Sequence, residues 1–240
     1  RVTSFPRSRV GASLWTGLCN DQEVPEYRSA AARKTILVGK PICRLAAVAP
    51  WAWPLIGKSV GRFFDRAAAG WDERTAAGSA GHLATLAAGL DSLEVKPERV
   101  LDLGCGTGAG TLFLAREFPR AGIRGVDLSE SMISQAQAKI GLDPEGRVSF
   151  RVGDASKLPF GEDSFDLVTQ VNMPVFFGEI ARVLRPGGGL IIATSLGEQT
   201  PFSTPERLIR RKLASHGFGE LNSGAAGEGT WVSAKLEGSG

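Results

Sequence analysis

The chain has 240 residues, 42% of them hydrophobic and 22% charged, with a formal net charge of +3. That length supports one α/β domain with a sizeable core and an appendage, and calls for no second catalytic domain. Cys19, Cys43 and Cys105 lie far apart, no C-x-x-C pair occurs and there are only two histidines, so a disulfide framework and a zinc site both lack support; no metal is expected, and the expected setting is a reducing, cytoplasmic one.

The charge is uneven. Residues 1–66 hold eleven Lys and Arg against four Asp and Glu, leaving seventeen against twenty-one in the remainder. A slightly negative core argues against a nucleic-acid partner, because phosphate binding needs a basic face near the site.

Residues 1–60 read as an N-terminal arm, partly disordered or helical. Its first residues, Arg1 to Arg9, are basic, serine-containing and free of acids, loosely like a transit peptide, with disorder as the default. Ala30 to Val38 is a candidate helix. The apolar stretch 45–57 is shorter than the ~20 residues of a spanning helix and contains Pro50 and Pro54. Trp51 and Trp53, beside Arg44 and Lys58, suit peripheral contact with a lipid headgroup layer, the lining of an apolar pocket, or packing on the domain; packing is the favoured reading.

From Val60 the pattern turns helical. Phe63, Phe64 and Ala67 share a face, and Trp71 to Arg74 opens a second helix running to about Leu90, weakened by Gly78 and Gly81. His82 is expected to face solvent or to cap. These segments form an N-terminal helical cap, 61–92, ahead of a core spanning 97–237.

Val100 to Gly110 reads Val-Leu-Asp-Leu-Gly-Cys-Gly-Thr-Gly-Ala-Gly. A short apolar strand, alternate glycines and a helix from Thr111 to Phe118 bring backbone N–H groups close to a ligand. Gly104, Gly106 and Ala109 also satisfy a dinucleotide G-x-G-x-x-G/A spacing, so the spacing alone leaves a nicotinamide site open. Asp102, two residues before the first glycine, suits a cationic ammonium better than a pyrophosphate. Here the chain resembles the class I S-adenosylmethionine-dependent methyltransferases, whose first motif is an acid followed by G-x-G-x-G: Asp102, Gly104, Gly106 and Gly108, with Cys105 filling a position that requires a small residue.

The resemblance implies that S-adenosylmethionine is the cofactor and S-adenosylhomocysteine the product. It also suggests Phe64 and Trp71 of the cap as acceptor-pocket residues, although large aromatics at helical spacing equally serve a core. Gly122 to Leu128 is the second strand. Its Asp127 stands twenty-three residues after Gly104, the offset at which such sheets place a carboxylate for ribose hydroxyls. Ser129 fits the cap of the next helix, on which Met132, Ile133, Ala136 and Ile140 share a face. Leu128 and Met132 are candidates for touching the adenine. Arg147 to Val152 is the third strand and delivers Asp154 and Ala155, to which the resemblance assigns the adenine amino group and a ring nitrogen.

Phe165 to Gln170 is the fourth strand, Glu179 to Gly189 a helix that ends on Pro and Gly, and Leu190 to Thr194 the fifth strand. These segments resemble the family's later motifs and carry the resemblance over 99–195. The connection after the fourth strand is shorter than in many relatives, so Gln170, Val171, Asn172 and Met173 are expected nearest the transferable methyl, with the arm supplying the roof. Phe176 and Phe177 are candidates for an apolar acceptor pocket or for burying the next helix. Thr204 to His216 reads as a last helix with a solvated basic face, and 218–221 with 230–236 as a closing pair.

The expectation is therefore an α/β, Rossmann-like three-layer sandwich with a mainly parallel seven-stranded sheet, an antiparallel last strand and an N-terminal cap. The implied activity is methyl transfer to carbon or oxygen of a small, lipophilic molecule of the quinone or sterol kind. A non-catalytic S-adenosylmethionine-binding or accessory protein, and a nicotinamide-dependent oxidoreductase, stand as alternatives.

Overall fold

The structure is a computed structural model and describes residues 30–143 and 145–238. Seven strands form one sheet: β1 (Arg99–Leu103), β2 (Gly122–Asp127), β3 (Val148–Val152), β4 (Phe165–Val171), β5 (Leu184–Thr194), β6 (Phe218–Ala226) and β7 (Gly229–Leu236). Their order is β3-β2-β1-β4-β5-β7-β6. β1 to β5 pair in parallel, while β7 inserts between β5 and β6 and is antiparallel to both. The mainly parallel, seven-stranded sheet with a reversed last strand is the architecture expected from the sequence.

The helices are α1 (Ala30–Val48), α2 (Gly57–Ala67), α3 (Trp71–Thr75), α4 (Ala80–Asp91), α5 (Ala109–Glu117), α6 (Glu130–Ala138), α7 (Phe177–Val183) and α8 (Glu206–Ala214). Side chains alternate across each strand and so feed two cores. On one face Leu101, Leu103, Val168 and Ile192 meet Ile180 of α7 and Leu213 of α8; on the other Val100, Leu167 and Ile191 meet Leu86 of α4 and Leu114 of α5. Three layers result. The order reverses at β1, which lies between β2 and β4, so the crevice at the carboxyl ends of these strands is where an open α/β sheet takes a ligand.

Three local readings are corrected. The helix expected from Trp71 to about Leu90 is broken: Ala76 and Gly78 take left-handed backbone (φ 47° and 85°), and Ser79 then caps α4 by accepting the His82 N–H at 3.2 Å. α7 ends at Val183, because Leu184 is already extended and pairs with Phe165; β5 therefore begins six residues before the expected Leu190 and passes irregularly through Pro186. α1 extends beyond Val38, through Pro41, to Val48. The basic residues 1–9 lie outside the described residues. Among the described residues, no helix is long and apolar enough to cross a membrane.

Candidate active site

The turn between β1 and α5 carries Gly104, Gly106 and Gly108 in left-handed conformations (φ 63°, 51° and 89°). Their surroundings differ. A Cβ on Gly104 would stand 2.6 Å from the Met173 sulfur and one on Gly108 2.7 Å from Phe150 Cζ, whereas one on Gly106 would meet nothing within 4 Å. The outer two glycines are required by packing. The middle one opens on a cleft that encloses about 1040 Å³ with its mouth.

Carboxylates from three successive strand ends line that cleft. The parallel register aligns them: Asp102 opposes Gly125 on β2, and Asp127 opposes Val152, two residues before Asp154. Asp127 Oδ2 accepts the Gly106 N–H at 2.9 Å and Oδ1 the Ser129 N–H at 2.9 Å. Each oxygen keeps lone-pair capacity for a further donor, as a vicinal diol requires. Burial pushes the Asp127 carboxyl up, partly opposed by those backbone donors.

Asp102 is held from below. Thr111 Oγ1 donates to Oδ2 at 2.6 Å and Thr169 Oγ1 to Oδ1 at 3.1 Å. Burial pushes its carboxyl up to about 6 despite both hydroxyls, with Asp127 adding to the rise. Such a carboxyl gains most from a cation that replaces its lost solvation.

Asp154 has a partner the sequence did not suggest. The Trp53 indole N–H donates to both carboxylate oxygens, at 3.0 and 3.1 Å, and the Ser156 N–H donates to Oδ1 at 2.8 Å. Trp53 sits in the 3₁₀ turn Pro50–Leu55 between α1 and α2, buried edge-on against Phe176 at 5.0 Å. The packing role favoured for this stretch thus holds for Trp53, while Trp51 is exposed.

The cap is latched over the cleft at two points. Asp65 of α2 accepts Ser129 Oγ–H at 2.6 Å and the Ser131 N–H at 3.2 Å, which holds its carboxyl below the usual range. Asp72 of α3 accepts the Thr107 hydroxyl and pairs with Lys139, whose ammonium also donates to Thr107 O at 2.9 Å. The cap is thereby tied to the glycine turn itself.

Among the predicted cofactor residues, Asp102, Gly104, Cys105, Gly106, Asp127, Leu128, Met132, Asp154 and Ala155 line the cleft. Gly108 lies behind it. Gln170 is buried and outside the lining, its Nε2 donating to Met173 O at 3.4 Å. Among the acceptor candidates, Phe64, Trp71, Asn172 and Phe176 line it, and Phe177 faces away toward His216 at 5.9 Å. The Asn172 side chain is engaged twice: Nδ2 donates to Ser195 Oγ at 2.8 Å, and Oδ1 accepts the Ser195 N–H at 2.9 Å. It pins β4 to β5 and offers the cleft backbone.

Sequence reasoning missed His82 and Thr107, and for Trp53, which both packs and lines the cleft, it offered pocket lining only as an alternative to packing. His82 lines the cleft instead of facing solvent, and its ring makes no hydrogen bond to the described residues. Burial lowers its pKa, and Asp72 works against that shift. Its place depends on the left-handed break at Ala76, which no helical periodicity signals. The thiols of Cys43 and Cys105 are free and pushed up by burial, Cys43 to about 12, so neither is poised as a thiolate.

Part of the chain resembles known proteins. Residues 100–188 match the family described as methyltransferase domain. The chain is 39% identical over 102 residues to a fatty-acid O-methyltransferase of Mycolicibacterium smegmatis, covering 40% of this chain and 36% of that protein. It is 34% identical over 129 residues to the ubiquinone/menaquinone biosynthesis C-methyltransferase UbiE of Geobacter sulfurreducens, covering 50% and 48%. The matched segments span between a third and a half of these relatives. Among solved structures, a chain from the complex of the Haloferax volcanii Trm112 methyltransferase activator with a methyltransferase superposes with a TM-score of 0.61 at 22% identity, over 73% of this chain and 98% of that one. A methyltransferase from Thermotoga maritima superposes at 0.57 with 18% identity, over 73% and 99%. These two likenesses are of fold.

Proposed function

We propose that this chain, whose residues 100–188 match a methyltransferase domain, is a class I S-adenosylmethionine-dependent methyltransferase that methylates a small lipophilic acceptor at oxygen or carbon. The observation that carries this reading is the convergence of Asp102, Asp127 and Asp154 on one cleft whose floor is open above Gly106. An ammonium, a ribose diol and an adenine amino group ask for three acceptors of this kind, and a pyrophosphate would be repelled by them. Bound S-adenosylmethionine supplies an activated methyl on a sulfonium.

The residues bind, orient and exclude water. Asp102 offers a buried anion to the ammonium, Asp127 accepts from the ribose hydroxyls, and Asp154 with Ala155 receives the adenine. Val60, Phe64, Trp71 and Phe176 give the acceptor an apolar wall. Alignment and exclusion of water from such a wall are worth roughly 7–11 kcal/mol in well-oriented reactant pairs. His82 is the uncharged base among the lining groups and takes the proton of an acceptor hydroxyl. The arm, 1–60, and the catalytic unit, 61–240, work together through Trp53. A small-molecule acceptor fits the names of the relatives, one acting on fatty acids and one in quinone biosynthesis.

Calorimetry with S-adenosylmethionine on the wild type and Asp127→Ala, with NADH alongside, tests the reading. Micromolar binding lost in the variant is expected, followed by methylation of fatty acids, quinols or phenols. Binding without turnover on any acceptor would leave the accessory role, and preference for NADH would end the proposal.

A further inference from the structure

We infer that the α1–turn–α2 hairpin docks on an anionic phospholipid surface and passes a membrane-dissolved acceptor to the cleft. This rests on the lipophilic-acceptor reading above and specifies where the acceptor comes from.

Eight large hydrophobic side chains are exposed among the described residues, and six of them, Leu37, Val38, Val48, Trp51, Leu55 and Phe63, belong to this hairpin. Trp51 and Leu55, in the turn at its tip, are 80% and 82% exposed. The turn's two tryptophans have split roles: Trp53 is buried on Asp154 and Phe176, and Trp51 points out. Among the described residues no packing accounts for Trp51 or Leu55. A tryptophan and a leucine at a turn suit the boundary between headgroups and acyl chains.

Charge selects the occupant. Residues 37–67 hold five cations, Lys40, Arg44, Lys58, Arg62 and Arg66, against one acid. That acid, Asp65, is committed to Ser129 and Ser131 of α6. Among the described residues none of the five cations makes an ion pair. Lys58, Arg62 and Arg66 recur at four-residue intervals along the exposed side of α2. An anionic bilayer satisfies apolar tip and cations together. A second copy does not, because a two-fold pairing through this face would set cations against cations.

The surface leads inward. Between α1 and α2 an apolar groove is lined by Val38, Ile42, Ile56, Val60, Phe63 and Phe202. Val60 lines both this groove and the cleft, and Phe202 packs tilted against the cleft residue Phe64 at 5.2 Å. An acceptor leaving the acyl layer thus meets apolar side chains from the membrane to the site.

The test is flotation of the full chain, without cofactor, on vesicles of phosphatidylcholine alone or mixed with phosphatidylglycerol. Binding to the mixed vesicles that weakens in high salt is expected. Trp51→Ser with Leu55→Ser, and separately Lys58→Glu with Arg62→Glu, should each reduce it by about tenfold or more. Both variants should keep the wild-type circular dichroism, S-adenosylhomocysteine affinity and turnover of a detergent-dispersed acceptor. No vesicle binding by the wild type, equal binding by the variants, or a wild-type dimer that the Trp51/Leu55 variant dissociates would each overturn the inference. Vesicle binding retained by a protein that binds no S-adenosylmethionine would sink the methyltransferase reading alone.

Discussion

The indole N–H of Trp53 reaches both carboxylate oxygens of Asp154, at 3.0 and 3.1 Å, across 101 positions of sequence. A bond to an ionised acceptor is worth about 1.5–3 kcal/mol, so the pair both closes the arm over β3 and fixes the Asp154 rotamer. Trp53→Phe keeps the ring against Phe176 and removes only the donor. Its melting temperature should fall and its affinity for S-adenosylhomocysteine should weaken by about threefold to tenfold, roughly 0.7–1.4 kcal/mol and so less than the full worth of the bond, because the Ser156 N–H still holds Asp154. Tighter binding in calorimetry would show that the indole competes with the ligand for Asp154, and would remove its positioning role.

Asp102 gives a pH dependence opposite to that of a surface carboxylate. Burial raises its carboxyl from 3.8 to about 6 in the folded chain. Its contribution to stability is therefore complete below 3.8 and is lost as pH rises through about 6. Two pH units correspond to roughly 3 kcal/mol at about 1.4 kcal/mol per unit. Asp102→Asn should melt above the wild type at pH 8, with the gain vanishing toward pH 4, yet bind S-adenosylmethionine more weakly. A variant less stable than the wild type at pH 8 contradicts the burial argument.

His82 lines the cleft, its pKa lowered mainly by burial and partly restored by Asp72. The groups lining the cleft around it are Asp102, Cys105, Asp127 and Asp154, with Asp72 on the neighbouring α3. A lowered histidine pKa stabilises the fold above 6.5, and that contribution is lost as pH falls through the folded value. Turnover of a hydroxyl acceptor should fall over the same range. His82→Gln should lower kcat by about a hundredfold, the ordinary worth of a general base, and flatten the acid limb, with S-adenosylhomocysteine affinity unchanged. An unchanged pH profile with weakened cofactor binding would move His82 from the acceptor to the cofactor.

Gly106 and Gly108 separate binding from folding. A Cβ at Gly106 enters open cleft, so Gly106→Ala should cost only the left-handed penalty of about 1–2 kcal/mol in stability while abolishing cofactor binding. At Gly108 the Cβ meets Phe150 at 2.7 Å, adding overpacking of about 1–3 kcal/mol to the same penalty. Chemical denaturation and calorimetry on both variants measure the contrast. Equal losses of stability would contradict it.

The sheet and its three acids were legible from spacing along the chain. Val100 to Leu103, Arg147 to Val152 and Phe165 to Gln170 are β-rich runs too short for helices, and the helical patterns that follow the first and second strands leave few topologies besides a parallel sheet. Parallel pairing then brings Asp102, Asp127 and Asp154 to one edge, because each stands at the end of its own strand. Those are local facts of spacing, and the structure keeps them.

Residues whose environment comes from distant segments were placed by packing alone. Trp51 and Trp53 are chemically identical two positions apart, and nothing local says that one meets Asp154 while the other faces outward. His82 reaches the cleft because Ala76 takes a left-handed conformation that few side chains adopt unless their surroundings impose it. Asn172 and Phe177, plausible by position, were taken by Ser195 and by packing against His216. Periodicity records which face a residue occupies on its own element; which element covers that face is set by packing between segments far apart in the chain.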